Sequence, residues 1–320
     1  MQVAIPDMPP IFSLPASIIA WNPGEGIRVT LRGQMKSVRK ELARYDVRPR
    51  KRFGQSFLED QNVIRRIAAL AEATETETVV EIGAGLGFLT AELALNAGKV
   101  IALEIDPRLV SALRDRFAGN TRVSIVPGDV LAYDFSSASP GSKIKVIGNI
   151  PYHISTPILF RLFEFRRSIS EMVLMLQKEL ADRILSPPGN KAYGIPSVLI
   201  ARYAAAARVM NVPPTCFYPE PSVVSSVLRI AMREDWATPE EEALFSMTVR
   251  AAFARRRKTL RNNLRAAGFA EDTLERVLAK TGIQGVRRAE TLTADEFALL
   301  ALELAVTGDA GKILDNRGGL

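Results

Sequence analysis

Asn149-Ile150-Pro151-Tyr152 closes the β-type run Lys143-Ile144-Lys145-Val146-Ile147-Gly148. An amide, a proline and an aromatic in that order suit a pocket that grips a flat polar ring. An exocyclic amine on such a ring is a poor nucleophile, because its lone pair is delocalised into the ring. The Asn149 side-chain oxygen and a nearby backbone carbonyl can accept both N–H bonds, which favours the pyramidal nitrogen of a transition state. Pro151 fixes φ and removes a donor, stiffening the turn that presents the carbonyl. Tyr152 offers a face for stacking. A plain turn after a strand is the competing reading of four such residues, so their meaning depends on what the rest of the chain brings beside them.

Three earlier segments end in the same way. Thr78–Ile82 reads as a short buried strand and runs into Gly83-Ala84-Gly85-Leu86-Gly87, after which Leu89, Leu93 and Leu95 mark a helix. Strand, glycine loop and helix form the first unit of a doubly wound α/β sheet. Val100–Leu103 ends at Glu104-Ile105-Asp106, and Val123–Val126 ends at Gly128-Asp129. Ligands of open α/β sheets bind at the carboxyl ends of the strands, so four polar features converge on one crevice. The glycine loop admits close backbone approach, Glu104 can accept both ribose hydroxyls, and Asp129 can accept from an adenine amine. This spacing predicts an adenosine-containing cofactor. Phe88 stands where Gly-x-Gly-x-x-Gly requires its third glycine, which disfavours a nicotinamide enzyme.

The chain of 320 residues, 47% hydrophobic, is long enough to bury a large core and a smaller one. Cys216 and His153 are each the sole residue of their type, which excludes a disulfide framework and a Cys/His metal cluster. A net charge of +7 favours phosphate-bearing partners. No apolar run approaches the ~18 residues of a membrane span, and no basic region precedes an apolar N-terminal patch; a cytoplasmic protein is expected. Residues 1–47 read as an irregular, proline-rich extension followed by a basic arm, with Met35 as a candidate native start.

Around this frame the pattern continues. Gly54-Gln55-Ser56-Phe57-Leu58 precedes a helix for which Asp60 is the expected N-cap. Glu171–Gln177 reads as a fifth strand and Lys178–Leu185 as a helix. Residues 204–209 and 223–230 suggest an antiparallel pair that closes the sheet. Beyond Trp236 the periodicity is wholly helical and includes a capping box at Thr293 and Glu296. The predicted division is therefore 48–233 for the α/β domain, 234–307 for a helical domain and 308–320 for a frayed tail. In the helical part Arg255, Arg256, Arg257, Lys258 and Arg261 follow one another without an intervening acid, on a predicted helix whose Phe253, Leu260 and Leu264 face inward. Such a run is often only a solvated face, but beside a base-sized pocket it predicts RNA phosphate contact.

In this order the motifs resemble the ribosomal RNA adenine dimethyltransferases of the KsgA/RsmA type, which are related to the Erm methylases. The resemblance runs from about Arg48 to Leu304. It also rests on Leu176-Gln177-Lys178-Glu179, Lys191-Ala192-Tyr193-Gly194, Phe217-x-Pro219-x-Pro221-x-Val223-x-Ser225 and Arg288-Ala289-Glu290-x-Leu292. It implies a Rossmann-like class I methyltransferase with a mostly parallel seven-stranded sheet and a small C-terminal helical domain. It further implies S-adenosylmethionine against Gln55, Ser56, Leu58, Gly83, Gly85, Glu104, Asp129 and Asn149, no metal, and a target adenine between Tyr152 and Phe217. The implied reaction is N6 dimethylation of two adjacent adenosines in a small-subunit (16S) ribosomal RNA hairpin, on an immature 30S particle, by a monomer. Ser56 replaces the family's usual Asn or His, and His153 stands where Asn is common; beside Tyr152 its expected role is support of the loop. A large-subunit methylase and a non-catalytic assembly factor are the rival readings.

Overall fold

The computed structural model describes residues 38–49, 55–234 and 238–307. The candidate start Met35, Gly54, most of the N-terminal extension and the tail from 308 lie outside them. A seven-stranded sheet runs in the order β4-β3-β2-β5-β6-β9-β7, with β2 at Thr78–Ile82, β3 at Lys99–Glu104, β4 at Val123–Pro127, β5 at Ile144–Asn149, β6 at Ile169–Gln177, β7 at Ala204–Val212 and β9 at Ser225–Met232. A separate pair joins β1 (Phe57–Leu58) to β8 (Phe217–Tyr218) antiparallel.

β2 pairs in parallel with β3 on one side and β5 on the other, and β3–β4 and β5–β6 are parallel too. The chain moves outward from β2 through β3 and β4, then returns to place β5 against the other edge of β2. The switch point therefore lies between β2 and β5, where the glycine loop and Asn149 emerge. All five residues of β2 are buried, as expected of a parallel strand covered on both faces. The two strands expected to close the sheet are adjacent, with β9 between β6 and β7.

The helices follow local rules. Asp60 caps α2 (Gln61–Leu70): its side chain accepts from the amides of Asn62 and Val63 at 2.8 and 3.0 Å. This satisfies two of the unpaired N–H groups at a helix start. Gly87, at φ +76°, caps α3 (Phe88–Leu93), and a Cβ there would stand 2.7 Å from the Phe117 ring. Asp106 caps α4 (Pro107–Arg116), with Pro107 at its first position. Val38 and Leu42, on α1 (Val38–Arg44), are buried in the core that also holds Ile64, Leu86 and Phe88. Residues 38–44 of the expected basic arm form this helix. Apolar residues four apart, at Val38 and Leu42, are the signal that the basic charge of this stretch obscured.

Contacts divide the chain into two compact units: residues up to Met175 with Val209–Ala231, and Leu176–Arg208 with residues from Met232 onward. The division is not a single cut near residue 233. The second unit contains α6 (Lys178–Ile184), α7 (Ile195–Tyr203), α8 (Pro239–Ala252), α9 (Leu260–Ala266), α10 (Glu271–Thr281) and α11 (Ala294–Ala305). α7 packs on α8 and α11, which is why it joins the helical unit despite its earlier place in the chain. The expected capping box holds α11, with Thr293 and Glu296 each accepting the other's amide N–H.

In the first unit, the ends of the strands remote from the crevice carry a buried ion-pair network. Arg229 of β9 donates to Glu171 of β6 and, through both terminal nitrogens, to Glu72 at 2.8 and 2.9 Å. Burial opposes the guanidinium charge, but the two carboxylates overcome that cost and hold its pKa above the ordinary value. Removing one member strands a buried charge. We expect Arg229→Met to lower the free energy of unfolding by about 3–5 kcal/mol and Glu72→Ala, at the exposed end, by clearly less; equal losses in urea titrations would contradict this ranking.

Candidate active site

Four strand ends meet in one crevice of the first unit, lined by Gln55–Leu58, Glu81, Gly83–Leu86, Glu104, Ile105, Gly128, Asp129 and Asn149–Tyr152. Gly83 and Gly85 adopt φ of +71° and +58°. At Gly85 any side chain would also press on the Phe57 ring, 3.3 Å from an added Cβ, so the loop keeps its backbone open to the crevice.

Glu104, 6% exposed, is held by backbone. Its Oε2 accepts the Gly85 amide at 2.8 Å, and its Oε1 accepts the amides of Ile105 and Asp106, both at 2.9 Å. Burial raises its pKa and these three N–H groups oppose the rise. Each carboxylate oxygen has about two acceptor positions, so Oε1 is filled and Oε2 keeps one. The position left open for a ribose hydroxyl is therefore on Oε2. Asp129 is exposed, and its Oδ1 accepts the Leu131 amide at 2.9 Å. Gln55 Nε2 lies 3.5 Å from Asp106, whose pKa is depressed chiefly by its bond to the Arg108 guanidinium.

Asn149 Nδ2 donates to the Ser56 carbonyl at 2.9 Å. This bond fixes which end of the amide is which and leaves the side-chain oxygen without a partner among the described residues. The neighbouring Ile150 amide is tied to the Met175 carbonyl at 3.0 Å, whereas the Ile150 carbonyl accepts no bond from the described residues. The Pro151 carbonyl accepts from Ser155 Oγ at 3.0 Å and from the Ile154 amide at 3.2 Å, which anchors the turn. Tyr152, half-buried, lines the crevice, and its hydroxyl lies 2.6 Å from Ser225 Oγ. Burial pushes its pKa up, so the phenol stays neutral. His153 is exposed and does not line the crevice.

Two sequence expectations differ from the structure. Phe217 is 3% exposed and sits in the core rather than on the crevice wall, because its strand pairs it with Leu58. Arg255, Arg256, Arg257 and Lys258 lie between α8 and α9, not on one helix with Arg261. Arg261 is spent on Glu271 and Glu275 of α10, and Arg256 on Glu290 and the Lys191 carbonyl. Arg255, Arg257 and Lys258 stay exposed, without such partners among the described residues. Acids close in space but absent from the run itself account for the difference.

The sequence reading also passed over Glu81, 2% exposed at the end of β2. The signal was a charged residue in the otherwise apolar Thr78-Val79-Val80-Glu81-Ile82. Thr90 Oγ1 donates to it at 2.5 Å. Burial raises its pKa to about 8, Glu104 adds repulsion, and Thr90 opposes the rise.

A family model described as ribosomal RNA adenine dimethylase matches residues 47–305. The ribosomal RNA small subunit methyltransferase A of Syntrophus aciditrophicus is 46% identical over 280 residues, 85% of this chain and 99% of that protein. Its counterpart from Moorella thermoacetica is 46% identical over 266 residues, covering 80% and 92%. Among solved structures, a dimethyladenosine transferase from Plasmodium falciparum superposes with a TM-score of 0.67 at 26% identity, covering 78% of this chain and 97% of that one. The 23S rRNA methyltransferase ErmE superposes at 0.59 and 27%, covering 78% and 99%.

The Glu81 carboxyl gives a signed pH dependence. The folded chain keeps this proton up to about pH 8, whereas the unfolded chain releases it near 4.5. The folded state therefore binds more protons in that window, and its stability falls as pH rises through it. We expect wild type to lose stability, on the order of a few kcal/mol, relative to Glu81→Gln between about pH 5 and pH 8. Parallel urea-midpoint curves for the two proteins would refute the assignment.

Proposed function

The chain belongs to the ribosomal RNA adenine dimethylase family, and from that premise we propose that this crevice dimethylates N6 of two adjacent adenosines in a small-subunit ribosomal RNA hairpin. The protein is an S-adenosylmethionine-dependent methyltransferase. The residues present fit that cofactor. A buried carboxylate oxygen with one open acceptor position, a glycine loop that a Cβ would block, and a free Asp129 oxygen suit a ribose, a close-lying backbone and an adenine amine respectively. Gln55, Ser56, Leu58, Gly83, Gly85, Glu104, Asp129 and Asn149 are the proposed contacts. When bound, the cofactor supplies a methyl group on a sulfonium, an activated leaving group.

The observation that carries the proposal is the orientation of Asn149. The Ser56 carbonyl holds its nitrogen, so its oxygen and the Ile150 carbonyl are the two acceptors left for an N6 amine. Accepting both N–H bonds draws the nitrogen lone pair out of conjugation, and fixed dipoles do this without reorganising. The face of Tyr152 stacks the base, and holding the amine in line contributes ~7–11 kcal/mol of barrier reduction. With Phe217 in the core, Tyr152 carries the stacking in this arrangement. Because a base inside a duplex cannot reach such a site, the substrate adenosine is unpaired or turned out. Arg255, Arg257 and Lys258 are the proposed phosphate contacts. We further infer that the protein acts as a cytoplasmic monomer on an immature small-subunit particle; no helix among the described residues is long and apolar enough to cross a membrane.

Incubation of unmethylated small ribosomal subunits with labelled S-adenosylmethionine, followed by mass-spectrometric mapping, tests the reading. Dimethyladenosine in small-subunit RNA is expected, and label confined to large-subunit RNA would overturn it. Asn149→Ala should abolish transfer while weakening cofactor binding far less, since it removes one of several cofactor contacts but the amide acceptor on which transfer depends. Arg257→Ala and Lys258→Ala should each flatten the salt dependence of RNA binding by about one unit of log–log slope, whereas Arg261→Ala should leave it unchanged. Equal slopes for all three variants would remove the loop from the RNA interface.

A further inference from the structure

We propose that Ser225 is a positioning residue for methyl transfer, acting through the hydroxyl of Tyr152. The inference rests on the reading above, in which the Tyr152 ring stacks the target base. Ser225 opens β9 and is fully buried, and its Oγ lies 2.6 Å from the phenolic oxygen of Tyr152. The two residues are 73 positions apart, so the bond ties the turn after β5 to the first residue of a different strand.

The need for such a tie follows from the geometry of a tyrosine. Its backbone lies in the short turn Tyr152–Ile154, braced by Pro151 and by the bonds to the Pro151 carbonyl. That fixes the Cα but leaves rotation about the first side-chain torsion, which sweeps the whole ring. A hydrogen bond at the far tip of the ring restrains that rotation with the longest available lever. The base-facing side of the ring is set before substrate arrives, and less ordering is left to be done at binding. Exposed Val223 and Val224 immediately precede Ser225, so the chain passes from open surface to full burial at the residue whose hydroxyl meets Tyr152. Ser225 is not among the residues that line the crevice, whereas Tyr152 is.

A double-mutant cycle tests this. Ser225→Ala and Tyr152→Phe each remove one partner of the same bond while keeping the ring. We expect each to lower kcat on unmethylated small subunits by about three- to tenfold, the factor a single hydrogen bond supplies, with KM for S-adenosylmethionine unchanged. The double variant should be no slower than either single one. Ser225→Cys, which keeps a weak donor, should recover part of the rate. A merely structural Ser225 would give a loss that persists in the Tyr152→Phe background and would lower the unfolding midpoint in step. Additive losses, or a wild-type kcat in Ser225→Ala, overturn the proposal. Tyr152→Ala separates the two levels. If it turns over normally, the stacking reading itself fails. If it is impaired while Ser225→Ala and Tyr152→Phe are not, only the positioning role fails.

Discussion

The crevice depends on a buried carboxylate. Glu104 sits almost out of contact with water, where an ionised carboxyl is costly unless its lone pairs are met. They are met by three backbone amides, one from the glycine loop after β2 and two from the turn after β3. Those bonds do more than satisfy Glu104. They lock the ends of two neighbouring strands to each other, so the left-handed conformation of Gly85 and the Asp106 cap of α4 are parts of one arrangement. Glu81 sharpens the constraint. Two carboxyls lie near one another in a dry pocket, and like charges so placed do not both ionise easily. The one with three N–H donors has the means to hold a charge, and the one with a single hydroxyl donor keeps its proton.

The second constraint is at the switch point. Asn149 is useful to an amine only if its oxygen faces the ligand, and an amide has no intrinsic preference between its two ends. The Ser56 carbonyl makes the choice. Because the acceptor is main chain, the residue type at position 56 does not enter into it. Ser56 departs from the Asn or His usual in the family, but the departure leaves this bond untouched. The segment that carries it is itself held by pairing β1 to β8 and by the amides of Glu59 and Asp60 on the Cys216 carbonyl. Phe217 is the buried side chain of that pairing. Its place in the motif is explained by anchoring the Ser56 segment.

Much of this was legible in the sequence, for definite reasons. Strand ends are readable where short apolar runs stop at glycine or acid, and Glu104, Asp129 and Asn149 all sit at such stops. Asp60 and Thr293 were readable because a cap is a local bond, made within three or four residues. What escaped was whatever depends on a partner distant in sequence. Phe217 looks like any aromatic beside a proline-rich turn; only its pairing with Leu58 puts it in the core. Ser225 closes the motif that opens at Phe217, but nothing in that motif announces Tyr152, 73 positions away. The helix at Val38–Arg44 was obscured for the opposite reason: a dense local signal, positive charge, drew attention from two apolar residues four apart.

The cations show the same point with more force. Read along the chain, Arg255 to Arg261 is a run of unopposed charge, and a charge run counts toward RNA affinity only through members that are free to release counterions from phosphate. Arg261, at the start of α9, meets two glutamates of α10; Arg256 meets Glu290. A guanidinium already paired with a carboxylate gains less from a phosphate, because it must first give up a bond of the same kind. Arg255, Arg257 and Lys258 carry no such debt. The electrostatic footprint is therefore narrower than the sequence suggests, and it lies on a loop between α8 and α9 whose backbone is fixed at its end: the amides of Leu260 and Arg261 donate to the Arg287 and Gly285 carbonyls at 2.7 and 3.0 Å. For the proposed RNA contact, a small cluster on a braced loop is suited to backbone positioning, the part of recognition that carries no sequence information.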